Sequence, residues 1–196
     1  MGGGDKSLRM LAGQPILAHV IARIGPQLLT LILNANGDPA RFAEWGLPVV
    51  PDAVPGYPGP LAGIHAGMRW VQEHHPEIAD IISIPTDTPF PPMDLIERLQ
   101  AARAAAGAEI AVASSGGQAH PVVAIWPVRL AAVLYRLVTE DGMRRVTDFA
   151  RRYTVAYADF PVTGIDPFFN VNRPGDLEQA ELRIKGETVA QGARIG

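Results

Sequence analysis

Cysteine is absent from the 196 residues of this sequence. That excludes disulfide staples, thiolate nucleophiles and cysteine-ligated zinc or iron–sulfur centres. No apolar run reaches the roughly 18–20 residues that a membrane-crossing helix needs. The formal net charge is -3. A general nucleic-acid surface needs a basic excess that this chain lacks. Five histidines are scattered, and only His74 and His75 are adjacent. No His-x-x-x-His pair offers metal ligands on one helix face. The Gly-x-x-x-x-Gly-Lys-Ser/Thr phosphate loop and the Gly-x-Ser-x-Gly nucleophile elbow are both missing. The first residues hold no apolar secretory core. A cytoplasmic location is expected, with no membrane and no nucleic acid as partner.

The most informative local feature is Met1-Gly2-Gly3-Gly4-Asp5-Lys6. Backbone N–H groups at Gly3 and Gly4 are free to curl around an anion. Lys6 then supplies a positive charge to a phosphate, or is a solvated side chain. Such a loop normally hangs off a buried strand, and none precedes it here.

Further along, strands and helices alternate. Pro15–Ile24 reads as a helix with Ile16, Leu17, Val20, Ile21 and Ile24 on one stripe. Leu28–Leu33 reads as a buried strand closed by Asn34-Ala35-Asn36-Gly37, and Leu47–Val50 as a short strand ending at Pro51-Asp52. Leu61 to about Glu73 is helical, Ala79–Ile84 a strand, Met93–Ala106 a helix and Glu109–Ala113 a strand. His120–Trp126 reads as a strand, Val128–Val138 and Met143–Arg151 as helices, Tyr153–Tyr157 as a strand and Asp176–Leu182 as a last helix. Residues from Lys185 onward show no period. Unalternated apolar strands between helices indicate an α/β domain with a mostly parallel sheet covered on both faces. One domain over residues 1–183 is expected, followed by a flexible tail over 184–196.

Open parallel sheets bind ligands beyond the C-terminal ends of their strands. Asn34 and Asn36, Asp52, and Asp87 fall at such ends. Asp87, set within Pro85-Thr86-Asp87-Thr88-Pro89, suits a divalent ion held against phosphates, or a helix cap. Asn34 and Asn36 either close a turn or present a donor and an acceptor to a heterocycle edge. Gly59-Pro60-Leu61-Ala62-Gly63 either brings backbone N–H groups close to a ligand or forms a tight packed loop. His120-Pro121 and Asn170-Val171-Asn172 are weaker clues. His19, His65, Trp45, Trp70, Trp126 and Met68 read as packing groups, and Arg144-Arg145 and Arg151-Arg152 as solvated charges. A carboxylate, a lysine and a glycine loop together suit phosphoryl or nucleotidyl transfer.

In order and spacing, several pieces together resemble the molybdenum cofactor guanylyltransferase family. They are Met1–Lys6, Leu33–Asn36, Pro51-Asp52, Tyr57-Pro58-Gly59-Pro60-Leu61-Ala62-Gly63, Pro85–Pro89, His120-Pro121 and Phe169–Asn172. The resemblance implies a three-layer Rossmann-like nucleotidyltransferase fold and transfer of GMP from GTP to Mo-molybdopterin, with release of pyrophosphate. It places Lys6 on the nucleotide phosphates together with Gly3 and Gly4. Asn34, Asp52, Gly59, Pro60 and Leu61 line the guanosine pocket. Asp87 binds Mg²⁺, and His120, Asn170 and Asn172 lie toward the pterin substrate. A monomer is expected, and molybdenum insertase and cofactor-delivery proteins are the partners the family implies.

Members of that family begin with a buried strand and a Leu-Ala-Gly-Gly loop ahead of the Met-Gly-Gly segment. The sequence reading therefore expects a longer, active native chain. It expects the 196-residue form to be poorly active or unstable, because neighbours of an absent core strand would hold unpaired backbone groups. Two other readings stay open. One is a related cytidylyl or sugar-phosphate nucleotidyltransferase. The other is an inactive nucleotide- or pterin-binding carrier.

Overall fold

The computed structural model describes residues 5–54, 56 and 59–192, and their side chains other than those of residues 174 and 187–192. In chain order the elements are β1 (Met10–Leu11), β2 (Gln14–Pro15), α1 (Ile16–Ile24), β3 (Leu33–Asn34) and β4 (Val49–Val50). Next come α2 (Pro60–His74), β5 (Asp80–Ser83), α3 (Leu95–Ala106), β6 (Ile110–Ser115) and β7 (Gln118–Pro127). The chain continues through α4 (Ala131–Thr139), α5 (Val146–Ala150), β8 (Val155–Phe160) and α6 (Pro174–Gly192). α1 begins directly after Pro15, whose fixed φ suits a helix start. Its stripe of Ile16, Leu17, Val20 and Ile24 is buried, which is the face the 3.6-residue period selects.

The main sheet has the order β5-β7-β6-β8. β5 and β6 each pair antiparallel with β7, and β8 pairs parallel with β6. Three strands therefore run one way and β7 alone opposes them. The reversal is local in origin. Only Gly116 and Gly117 join β6 to β7, with φ of +54° and +78°, the left-handed geometry of a two-residue hairpin.

Alternation along the strands sends side chains into two separate cores. Ile110, Val112, Ala124 and Trp126 pack with Leu61, Ile64 and Met68 of α2 and with Leu134 and Leu137 of α4. Ala111, Ala113, Val123 and Ile125 pack on the other face with Leu95 and Leu99 of α3. This is the three-layer α/β/α arrangement that the sequence predicts. Met68 and Trp126 are fully buried packing groups.

Two expectations are corrected. The strand expected over Leu28–Leu33 is reduced to Leu33–Asn34, paired parallel with Val49–Val50. Leu29 is 95% exposed. A strand needs a neighbour, and among the described residues β3 has one only on the β4 side, while β5 has one only on the β7 side. A cavity of about 560 Å³ lies between these two edges. Its walls include Leu31 and Ile32, Ile81 and Ile82, and Gly63 and Gly67 of α2. The second correction concerns the last helix, expected over Asp176–Leu182. α6 runs on to Gly192, so the segment after Lys185 is helical as far as that residue. Contacts beyond Leu182 support it: Arg183 donates to the Ile165 carbonyl at 2.7 Å and lies over the Phe90 ring at 4.5 Å.

Candidate active site

The end of β3 and the segment after β4 are tied by one carboxylate. Asn34 Nδ2 donates to Asp52 Oδ1 at 3.0 Å and to the Val50 carbonyl at 3.0 Å. Asn36 Nδ2 donates to Asp52 Oδ2 at 2.8 Å, and Asn36 Oδ1 accepts from the Asp52 backbone N–H at 2.9 Å. Arg41 donates to the Asn36 carbonyl. Both amides are therefore aimed by Asp52; Asn34 spends both Nδ2 hydrogens within the turn and keeps only Oδ1 for a ligand, while Asn36 keeps one Nδ2 hydrogen. Asn34 also leans on the first turn of α2. A methyl group at Gly63 would lie 2.2 Å from Asn34 Oδ1, so glycine is required for that approach. Gly59, at φ +150°, turns the chain into α2, where Pro60 takes the first helical position. The Leu61 side chain is in the core, 2% exposed. Any contact from Leu61 to a ligand is therefore made by its main chain.

The second group forms around Asp87. α3 starts at Leu95, next to Asp94, so Asp87 does not cap that helix. Burial pushes the Asp87 carboxyl pKa up, while its own backbone N–H and the charge of Lys6 pull it down. The backbone carbonyl of Asp87 accepts from the Val171 N–H at 2.9 Å. Thr88, fully buried, donates its hydroxyl to Asn170 Oδ1 at 2.6 Å. Lys6 Nζ donates to Asn172 Oδ1 at 2.8 Å. The strand-end aspartate, the N-terminal lysine and the two late asparagines are thus brought into one assembly. Asp5 does not pair with Lys6. It caps the turn that carries Lys6, accepting from the Ser7 N–H at 3.2 Å and the Ser7 hydroxyl at 2.8 Å. Asp176 holds the other side by accepting the Asn172 and Arg173 N–H groups at 2.8 and 2.7 Å.

Among the described residues no three carboxylate or imidazole groups converge as a ready metal cage. Asp87 is a single half-buried carboxylate that no side chain among the described residues hydrogen-bonds. That donor set fits an ion such as Mg²⁺, which takes one or two protein carboxylates and completes its shell with water and substrate phosphates.

His120 stands on β7 and reaches the segment that leads to Asn170 through Phe168. Its Nε2 lies 2.6 Å from Ser115 Oγ, and its ring sits 4.7 Å from the Phe168 ring. Two residues beyond Phe168 is Asn170. Gly3 and Gly4, with Tyr57 and Pro58, lie outside the described residues. His19 Nε2 meets the Leu11 carbonyl at 2.8 Å, and His74 Nδ1 meets the Trp70 carbonyl at 2.9 Å. Arg144, Arg145, Arg151 and Arg152 are exposed.

Sequence reasoning misses Ser115, Asp166 and Asp176. Each is an ordinary polar residue whose partners lie elsewhere in the fold. Thr88 carries a local signal, since it flanks Asp87 within the proline-bounded loop.

A three-layer α/β/α domain with a carboxylate beyond a strand end and a lysine brought up beside it is a form that suits a nucleotidyltransferase. The chain belongs to the MobA-like NTP transferase domain family, which matches it over residues 1–155. It is 54% identical over 181 residues to the molybdenum cofactor guanylyltransferase of Bradyrhizobium sp., covering 92% of this chain and 85% of the relative. The protein of the same name from Rhodopseudomonas palustris is 53% identical over 181 residues, covering 92% and 86%. The fold is shared with the crystal structure of molybdopterin-guanine dinucleotide biosynthesis protein A from Archaeoglobus fulgidus. The TM-score is 0.70 at 23% identity, over 94% of this chain and 92% of that one.

Proposed function

We propose that this protein transfers GMP from GTP to the terminal phosphate of Mo-molybdopterin, giving the guanine dinucleotide form of the cofactor and pyrophosphate. The observation that carries the reading is the meeting of Lys6, Asp87 and Asn170–Asn172 around one loop. An oxygen of the molybdopterin phosphate attacks the α-phosphorus of GTP, and the bond from that phosphorus to the β-phosphate bridging oxygen breaks. The attacking phosphate is already anionic, so the protein needs no base. Its task is to align two anions and to offset the charge that gathers between them.

Lys6, fixed by Asn172, supplies one positive charge to the triphosphate, and the family resemblance adds Gly3 and Gly4, outside the described residues, as phosphate-binding positions. Asn34, its Nδ2 hydrogens held by Asp52 and the Val50 carbonyl, offers its Oδ1 as an acceptor to the guanine edge. Gly59, Pro60 and the Leu61 backbone form the wall of that pocket. Asp87 would hold Mg²⁺, which when bound polarises the phosphates and neutralises developing charge. His120, Asn170 and Asn172 face the pterin substrate. In this reading residues 1–183 act as one nucleotidyltransferase domain, monomeric and cytoplasmic, handing its product to molybdenum insertase or delivery proteins.

The test supplies Mo-molybdopterin, Mg²⁺ and either GTP or CTP labelled at the α-phosphate. Label is expected in a molybdopterin dinucleotide with GTP only, with one pyrophosphate released per product. Preference for CTP would assign the cytidylyl reaction. Nucleotide binding without pyrophosphate release would assign a carrier.

A further inference from the structure

Two residues that contact His120, Ser115 and Asp166, have no part in the transfer as proposed. Ser115, the last residue of β6, is 1% exposed and sits between two partners. Its Oγ lies 2.6 Å from His120 Nε2 and donates to Asp166 Oδ2 at 2.6 Å. Asp166 Oδ1 accepts the Phe168 N–H at 2.7 Å, and His120 Nε2 is 3.9 Å from that same carboxylate oxygen.

The order of these groups matters. In a serine-nucleophile triad the imidazole stands between hydroxyl and carboxylate. Here the hydroxyl stands between imidazole and carboxylate. A hydroxyl has one proton, and an ionised carboxylate only accepts. The Ser115 proton therefore points at Asp166, and a Ser115 lone pair faces His120. His120 Nε2 must then carry the proton of that contact, and Nδ1 of the neutral ring carries none. Nδ1 has no hydrogen-bond partner among the described residues and is not among their buried unpartnered atoms, so it faces solvent. Burial holds the ring below the ordinary histidine pKa, with Asp166 opposing, which favours the neutral ring near pH 7.

We infer that Ser115 and Asp166 are positioning residues that lock His120 as the Nε2–H tautomer. The lock presents Nδ1 as a hydrogen-bond acceptor for an N–H group on the pterin heterocycle, and not as a cation for its phosphate. The inference about the ligand rests on the proposed function; the tautomer does not. The segment carrying Asp166 and Phe168 continues to Asn170, which Thr88 holds. The lock is thereby built into the strip that reaches the Asp87 loop.

The isosteric variant Asp166→Asn makes a specific prediction. Its carbonyl stays on the Phe168 N–H, so its NH₂ faces Ser115 and donates. The Ser115 proton then turns to His120 Nε2, and the ring flips to the Nδ1–H tautomer, a donor where an acceptor stood.

Long-range ¹H–¹⁵N spectra of the full chain, labelled at histidine, read this directly near pH 7.5. The wild-type protein is expected to show His120 as Nε2–H, with its Nδ1 resonance moving when molybdopterin is added. Asp166→Asn is expected to show Nδ1–H and a KM for Mo-molybdopterin raised about tenfold, the loss of roughly one hydrogen bond. Its KM for GTP should be unchanged. A wild-type ring in the Nδ1–H form overturns the inference without any variant. A flipped tautomer with both KM values unchanged overturns the ligand role. A simple packing role for Asp166 would instead shift both KM values or unfold the chain. A wild-type chain that shows the Nε2–H ring but transfers no GMP would sink the proposed function and leave the lock standing.

Discussion

Gly63 and Asn34 occupy one space: a methyl group at Gly63 would lie 2.2 Å from Oδ1 of Asn34. Gly63 is inside α2, where alanine would otherwise be favoured by about 1 kcal/mol. Gly63→Ala forces the Asn34 amide to swing away from Asp52 and from the Val50 carbonyl. The expected result is a KM for GTP raised about tenfold, with global stability changed by less than about 1 kcal/mol because the helix gain offsets the lost bonds. Steady-state kinetics and urea unfolding on the same preparations check it. An unchanged KM would remove Asn34 from the nucleotide pocket.

Asp87 separates function from stability. Burial raises its carboxyl pKa, so the ionised side chain costs the native state some stability. Asp87→Asn keeps the shape and removes that charge. Transfer is expected to fall about 100-fold or more, while the melting temperature stays level or rises. A variant that loses stability in step with activity would show Asp87 to be structural.

His65 gives a pH dependence of its own. It is 4% exposed, its Nδ1 has no hydrogen-bond partner among the described residues, and burial together with the charge of Arg69 lowers its pKa from 6.5. The Tyr135 ring lies 5.3 Å from the His65 ring. Because the native value lies below the unfolded one, the unfolded chain binds more protons between the two. Stability therefore falls as pH drops below about 6.5. His65→Leu is expected to abolish that component and to be neutral or stabilising by about 1 kcal/mol at pH 7.5, since it removes a buried unpaired atom. Chemical denaturation at pH 5.5 and 7.5 decides it. An acid loss that persists unchanged in the variant would trace to another group.

The extent of α1, α2 and α3 was legible in the chain because apolar period, proline starts and glycine ends are local signals. Asp87 and Lys6 stand out in the chain as well, as a carboxylate between prolines and a lysine after glycines. The sheet was legible only in part. Leu28–Leu33 has the composition of a buried strand, yet β3 is confined to Leu33–Asn34, because strand structure requires a second chain segment alongside. α6 shows the converse. Its later turns have a weak period and are helical nevertheless, supported by contacts such as those of Arg183 with Ile165 and Phe90.

By itself the sequence determined the layer order, the faces of the helices and the chemical types available for the site. Those properties follow from local period and residue chemistry. Only the tertiary structure decided that Lys6 meets Asn172, that Thr88 meets Asn170 and that Ser115 stands between His120 and Asp166. These pairs are set by chain segments far apart in sequence. Hydrogen bonds between them form only when packing has brought the segments together, and at the buried Thr88 and Ser115 that packing also excludes the water that would otherwise take their place.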